Sequence, residues 1–196
     1  MTILEVMVWA VLSLLALTLA VAMLTQLLRA VHKETQRSHV YLAQVSTLAW
    51  IAEDAQYANG AGVVVHQDDA QPTYFSLHLS GGANDARQAQ FGDRLVFYHW
   101  QPSSGSLTRR VARPPVLTFQ PLVPQRPDLA QLQLLVSNPL VESRKLADGV
   151  TLFKVYGKEV GLKQLSPPLR LHLEVTSPDG KEKFVQEKTI TPRMTL

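Results

Sequence analysis

The 196-residue chain has no cysteine and sets 19 Lys and Arg against 16 Asp and Glu, a net charge of +3. Without a thiol it can form neither a disulfide nor a thiolate metal centre. The small basic excess has its densest group after the first helix at Arg109-Arg110 and Arg113, which reads more simply as a solvated face than as a nucleic-acid surface. The length suits one apolar helix and one domain of about 140 residues.

From Val6 to Leu24 there is no charged residue, and the only polar ones are Ser13 and Thr18. Roughly 20 helical residues cross the hydrocarbon core of a bilayer. A membrane anchor is the simplest reading. A cleavable secretory signal does not fit, because the run lacks a basic flank before it, is too long, and is not followed by an A-x-A site. Glu5 is the exception within this stretch, a carboxylate at the buried end of the apolar run, where leaving it unpaired costs a few kcal/mol or more. The positive end of the helix dipole and the α-amino group of Met1 are its two local sources of compensation. Arg29, Lys33 and Arg37 follow with Glu34 alone against them, which by itself puts the C-terminal side in the cytoplasm. The opposite orientation requires basic charge upstream of Met1.

The opening residues Met1-Thr2-Ile3-Leu4-Glu5-Val6 resemble the mature N-terminus of type IV pilins and type II secretion pseudopilins. The resemblance implies several things together. A prepilin peptidase and methylase has removed a basic leader and N-methylated Met1, and the leader carried the orienting charges. Thr2 and Glu5 serve subunit assembly, with Glu5 meeting the α-amino group of a neighbouring subunit. The head lies outside the cytoplasm, with the chain first in the inner membrane and then in an extracellular or periplasmic filament. The implied partners are other pilin or pseudopilin subunits, the inner-membrane assembly platform, and membrane lipid before assembly. Ala22 stands where many major pilins have a helix-kinking proline.

Further along, Leu24, Leu28, Val31, Thr35, Ser38, Leu42, Val45, Ala49 and Ala52 recur at three- and four-residue steps, predicting one helix that continues beyond the membrane and stops near Asn59-Gly60. Such a helix would be on the order of 85 Å long. Three regions follow: an apolar half-helix over 1–28, a one-sided half over 29–59 that needs a sheet to lie on, and a β-rich head over 60–196.

In the head the period changes to two. Strands are predicted at Val63–Val65, Tyr74–Leu79, Arg94–Trp100, Leu107–Val111, Val116–Phe119, Leu132–Val136, Val150–Tyr156, Leu169–Thr176 and Phe184–Ile190. Turns fall at Gly81-Gly82, 102–105, Asp148-Gly149 and 178–180, with the second and fourth as hairpin tips. Gly81 to Gly92 is the expected flexible loop, and the five prolines between Arg113 and Pro127 mark an edge or a connection. The fold class is therefore α+β, a long N-terminal helix packed on an antiparallel sheet. The helix end 46–58, the hairpin from Arg94-Leu95-Val96-Phe97-Tyr98-His99-Trp100 to Leu107-Thr108-Arg109-Arg110, and the pieces 146–150 and 165–175 resemble the J-type minor pseudopilins and the PilW-type minor pilins. That likeness implies a role in filament initiation or at a tip.

No catalytic residue is expected, and no cofactor. Neither a Gly-rich phosphate loop, an H-E-x-x-H helix nor a Ser nucleophile elbow occurs. His32 and His39 sit seven apart on the helix, while His78, His99 and His172 fall in predicted strands as ordinary outward-facing residues. Asp68-Asp69 lacks the spaced oxygen ligands that calcium needs, so no metal is expected. The aromatic residues Phe97, Tyr98 and Trp100 read as sheet core and rim. The expectation is a structural subunit of a type IV pilus-like filament serving adhesion, secretion or DNA uptake. An abundant major pilin and a membrane-anchored domain that does not polymerise are the alternatives.

Overall fold

The computed structural model describes residues 2–67, 72–83, 89–161, 164–177 and 180–191. Helix α1 runs from Ile3 to Gln56, 54 residues with neither proline nor glycine among them. The hydroxyls of Thr18, Thr25 and Thr35, poor helix formers, return to carbonyls three or four residues back and so leave no donor stranded in an apolar surface. The chain divides into two units, 1–40 and 41–196.

In the first unit every described residue from Thr2 to Thr35 is exposed. By length and composition this helix can cross a membrane. A side-chain surface of Ile, Leu, Val, Met and Trp on all sides is unfavourable in water and calls for lipid or another apolar surface.

Among the described residues the second unit holds the last part of α1, eight strands and a short helix. The strands are β1 (Ala58–His66), β2 (Thr73–Ala83), β3 (Ala89–Gln101), β4 (Ser106–Ala112), β5 (Glu142–Ala147), β6 (Val150–Gly161), β7 (Gln164–Thr176) and β8 (Lys183–Ile190), with helix α2 (Leu129–Ser137) between β4 and β5. They form one sheet in the order β5-β4-β3-β2-β1-β7-β6, with β8 also on β7. Every pairing is antiparallel. This is the α+β layout that the change of period predicts.

Register shows why the head sorts its residues as it does. Phe75 pairs Tyr98, Leu77 pairs Val96, and Arg109 pairs Tyr98 from the other side, so these residues share the face that α1 covers. The alternate set, with Tyr74 opposite His99, Ser76 opposite Phe97 and Leu95 opposite Ala112, looks the other way. There Tyr74, Leu95, Phe97 and Ala112 pack with Leu132, Leu135 and Val141, joined by Val116, Leu117, Phe119, Leu129 and Val136. The centre of the sheet is thus a middle layer with both faces covered. As expected of sheet core, Phe97, Tyr98 and Trp100 are all buried.

Several sequence expectations are corrected. The helical stripe is out of phase in the head: Gln44, Thr47, Leu48, Ile51, Ala52, Asp54 and Ala55 are buried, whereas Leu42, Val45 and Ala49 are exposed. Polar Gln44, Thr47 and Asp54 turn inward because each meets a hydrogen-bonding group of the sheet, which a hydrophobicity pattern does not register. Helix α1 ends at Gln56 rather than at Asn59-Gly60, because Ala58 already pairs with Leu79 and the Ser80 amide donates to the Tyr57 carbonyl at 2.7 Å.

Leu132–Val136 is helix, not strand. Asp128 caps it, accepting from the Gln131 amide at 2.7 Å while Gln131 Oε1 accepts from the Asp128 amide at 3.1 Å. That reciprocal cap sets a 3.6 period, which puts Leu132 and Leu135 on one buried side. Val116–Phe119 is not a strand either. Three of the five neighbouring prolines lie at Pro114, Pro115 and Pro121, and the segment lies across the second face of the sheet. The edge strand β5 escaped notice because four of its six residues, Glu142, Ser143, Arg144 and Lys145, are polar and exposed.

Ladder pairs carry β2 to Ala83 and start β3 at Ala89, so the expected 81–92 loop is shorter than predicted. The 102–105 hairpin tip stands where expected, with Gly105 at φ 60° and its amide on the Gln101 carbonyl at 2.9 Å. Gly149, at φ 68°, turns the chain from β5 into β6. Of the 178–180 tip, residues 178 and 179 lie outside the described residues.

Candidate functional site

At the head of α1, Thr2 and Glu5 hold each other. The Thr2 amide donates to Glu5 Oε2 at 2.8 Å, and the Glu5 amide donates to Thr2 Oγ1 at 3.4 Å. This is a Thr-x-x-Glu capping box, which satisfies two of the amides that open every helix. The Thr-x-x-Glu spacing is legible in the sequence, and it adds the Thr2 amide to the helix dipole and the Met1 amino group as a local partner for Glu5. Met1 lies outside the described residues, as do Asp68 and Asp69.

A second constellation lies where α1 ends on the sheet. Arg109 of β4 donates from Nε to Asp54 Oδ2 at 2.6 Å and from Nη2 to Oδ1 at 2.8 Å, a two-pronged ion pair. The Tyr98 hydroxyl of β3 donates to the same Oδ2. Burial, the Asp54 charge and its hydrogen bond raise the Tyr98 hydroxyl well above its ordinary range, so it stays protonated and donates. Its hydrogen bond to Asp54 likewise raises Arg109, which keeps it a cation. Trp50, one turn earlier, takes the Arg144 guanidinium 4.7 Å from its ring centre and that of Arg109 at 5.9 Å. Arg109 and Arg144 face each other across β4 and β5, and like charges so placed repel. Asp54 and the Trp50 ring offset that repulsion.

The neighbouring Arg110 points the other way, its Nη1 on the Val136 carbonyl at 2.9 Å. The three arginines that are close in sequence therefore do not form one basic patch. Strand alternation splits them between two faces.

A cavity of about 480 Å³ opens beside the Asp54–Arg109 pair. Leu79, Val96 and Val111 line it together with Arg94, Arg113 and Asp93.

The histidines correct another expectation. His78 and His99 are buried rather than outward-facing, because α2 and the proline-rich segment cover the second face of β2 and β3. The Nδ1 of His78 accepts the Gln125 amide at 2.8 Å, and its Nε2 donates to the Gly92 carbonyl at 2.8 Å, which fixes a neutral ring. Gly62 makes room for it, since a Cβ there would come within 2.7 Å of the His78 Cβ. Burial lowers the His78 pKa, with the Gly92 hydrogen bond opposing. Burial, and next to it the Arg110 charge, push His99 down to about 4. His172 sits between Glu187 at 2.9 Å and Glu174 at 3.1 Å. Burial pulls its pKa down, but the two carboxylates outweigh it and the net direction is up.

Among the described residues no group of three or more His, Asp or Glu is arranged to hold a metal ion. No known family model matches the chain, and no curated protein matches it.

Proposed function

We propose that the chain is a structural subunit of a type IV pilus-like filament, of the minor pilin or pseudopilin kind, acting at initiation or at the tip. The observation that carries this reading is an all-round apolar helix surface from Ile3 to Leu28, headed by the Thr2–Glu5 pair and followed by an α+β head. The helix rests in the inner membrane until it leaves lipid for the helices of neighbouring subunits, where burial contributes roughly 25 cal/mol per Å². Apolar contact alone sets no register. A carboxylate that must find a neighbour's amino group does, since its mismatch in that interior is costly.

A second reading has a specific observation in its favour. The capping box gives Glu5 a local task, so a membrane-anchored domain that never polymerises would also keep it. Glu5→Gln separates the two roles of Glu5, because glutamine at this position still caps but brings no charge. Filament incorporation, measured in sheared surface fractions beside the membrane pool, falls at least about tenfold if the charge sets the register, since that loss corresponds to as little as about 1.4 kcal/mol. Incorporation equal to wild type would leave Glu5 as a helix cap and overturn its role in setting the register, whereas absence of the wild-type chain from the filament fraction would favour the anchored domain.

A further inference from the structure

The cavity at the end of α1 is built asymmetrically. Its floor is apolar, made of Leu79, Val96 and Val111, and its inner wall is the Asp54–Arg109 pair. The outer rim is cationic. One step beyond the ladder pair of Leu95 with Ala112, Arg94 and Arg113 stand opposite each other, and both line the opening. Like charges in such cross-strand positions repel.

Each arginine has one long ionic contact. Arg94 Nε lies 3.7 Å from Asp93 Oδ1, and Arg113 Nη2 lies 3.5 Å from Glu142 Oε2. Arg109, by contrast, spends both prongs of its guanidinium on Asp54. The rim therefore sets two partly exposed guanidinium groups around a space that falls within the ordinary range for ligand pockets, about 300–1,000 Å³. A carboxylate at the mouth would meet two guanidinium groups whose planar forks match its geometry, and it would relieve their mutual repulsion.

We propose that this cavity binds an acidic side chain on a peptide segment of a partner protein, with Arg94 and Arg113 holding the carboxylate and Leu79, Val96 and Val111 receiving its methylenes and neighbours. The lining argues against a nucleic-acid backbone. Asp54 and Asp93 stand among the arginines and repel a run of phosphates, whereas one carboxylate meets two guanidinium groups against the single exposed carboxylate of Asp93. The site belongs wholly to the head and does not depend on whether the chain polymerises.

The test uses the full chain in a micelle of neutral detergent, with the fluorescent peptide acetyl-Ala-Leu-Glu-Leu-Ala-amide and its Gln and Lys counterparts followed by anisotropy. The expected result is binding of the Glu peptide about tenfold or more tighter than the Gln peptide. In the Arg94→Glu/Arg113→Glu variant the preference should pass to the Lys peptide. That reversal shows that the altered site still folds, and Lys188→Ala, an exposed cation on β8, should change nothing. Equal affinity for the Glu and Gln peptides overturns the proposal, as does no Glu-peptide binding at millimolar concentration. An unchanged preference in the double variant overturns it as well. A 12-nucleotide single strand that displaces the Glu peptide and binds more tightly would also overturn it, in favour of a nucleic-acid site.

Discussion

Asp54 is a carboxylate with three side-chain donors on it, two from Arg109 and one from Tyr98, and it is the point at which α1 is tied to β3 and β4. Removing one member of a mostly buried ion pair strands the other, at a cost of about 3–5 kcal/mol when burial is complete. Here both partners keep some solvent contact, 10% for Asp54 and 20% for Arg109. Asp54→Ala should therefore lower the unfolding free energy of the head by about 2–3 kcal/mol. Arg109→Lys, which keeps the charge but loses the fork, should cost about half of that. Urea unfolding followed by Trp fluorescence measures both, since Trp50 lies beside the pair.

Acid should act through the buried histidines. The folded state holds His99 near pKa 4 and His78 below its ordinary value, while the unfolded chain takes up both protons near pH 6.5. Their contribution is complete above pH 6.5 and is lost as pH falls, with His99 contributing on the order of 3 kcal/mol by pH 4. His172 has the opposite sign: its stabilisation is complete below pH 6.5 and fades as pH rises through its elevated value. The melting temperature should accordingly climb from pH 4 to pH 6.5, and His99→Gln should flatten most of that climb. A pH-independent melting temperature across the same range would contradict the assignment.

Among the elements, α2 is the one that the sequence disguised. Its nine residues LAQLQLLVS satisfy a buried-strand pattern as well as a helix pattern, and short apolar runs do not separate the two. The deciding residues were Asp128 and Gln131, whose reciprocal cap commits the backbone to helix. Asp128→Ala should cost about 1 kcal/mol. Leu132→Ala, at a fully buried position facing Phe97 and Leu95, should cost about 2–4 kcal/mol. Both are read from chemical unfolding curves.

The same ambiguity explains what was legible and what was not. The 102–105 hairpin and the strands around it could be read locally because turn chemistry and alternation agree there. The inward face of α1 could not, because Gln44, Thr47 and Asp54 are buried by partners more than forty residues away in the chain. Nor could the burial of His78 and His99, which depends on α2 and the proline-rich segment crossing the far side of the sheet. Of the candidate site, the Thr2–Glu5 spacing is visible in the sequence, and the reciprocal bonds that make it a cap are a matter of backbone geometry. The cavity joins the local β3–β4 hairpin to Asp54 of α1 and Leu79 of β2, and no local pattern brings those separate segments together.

At the scale of the whole molecule, the apolar burden is unequally divided. Between Thr2 and Thr35 every side chain is exposed, whereas the unit 41–196 has its own core on two faces of a sheet. A chain beginning at Tyr41 should therefore be monomeric without detergent and melt cooperatively. Size-exclusion chromatography with circular dichroism tests this, and loss of the cooperative transition would mean that the head needs the earlier helix to fold.

Two side chains of α1 end on the outermost strands. Gln44 donates to the Phe184 carbonyl of β8 at 3.1 Å and Thr47 to the Leu146 carbonyl of β5 at 3.4 Å. Backbone carbonyls left bare along a strand margin are templates for the strands of other molecules, the first step of edge-to-edge aggregation. By occupying one carbonyl on each of these two strands, the helix acts as a guard as well as a support. That protection would matter most were the head held at high local density, as a helix able to cross a membrane would hold it. Replacing Gln44 with methionine and Thr47 with valine would keep nearly the same volume at these two buried positions while withdrawing both hydrogen bonds, so the damage should surface as concentration-dependent thioflavin-positive deposits before it surfaces as a lower melting temperature.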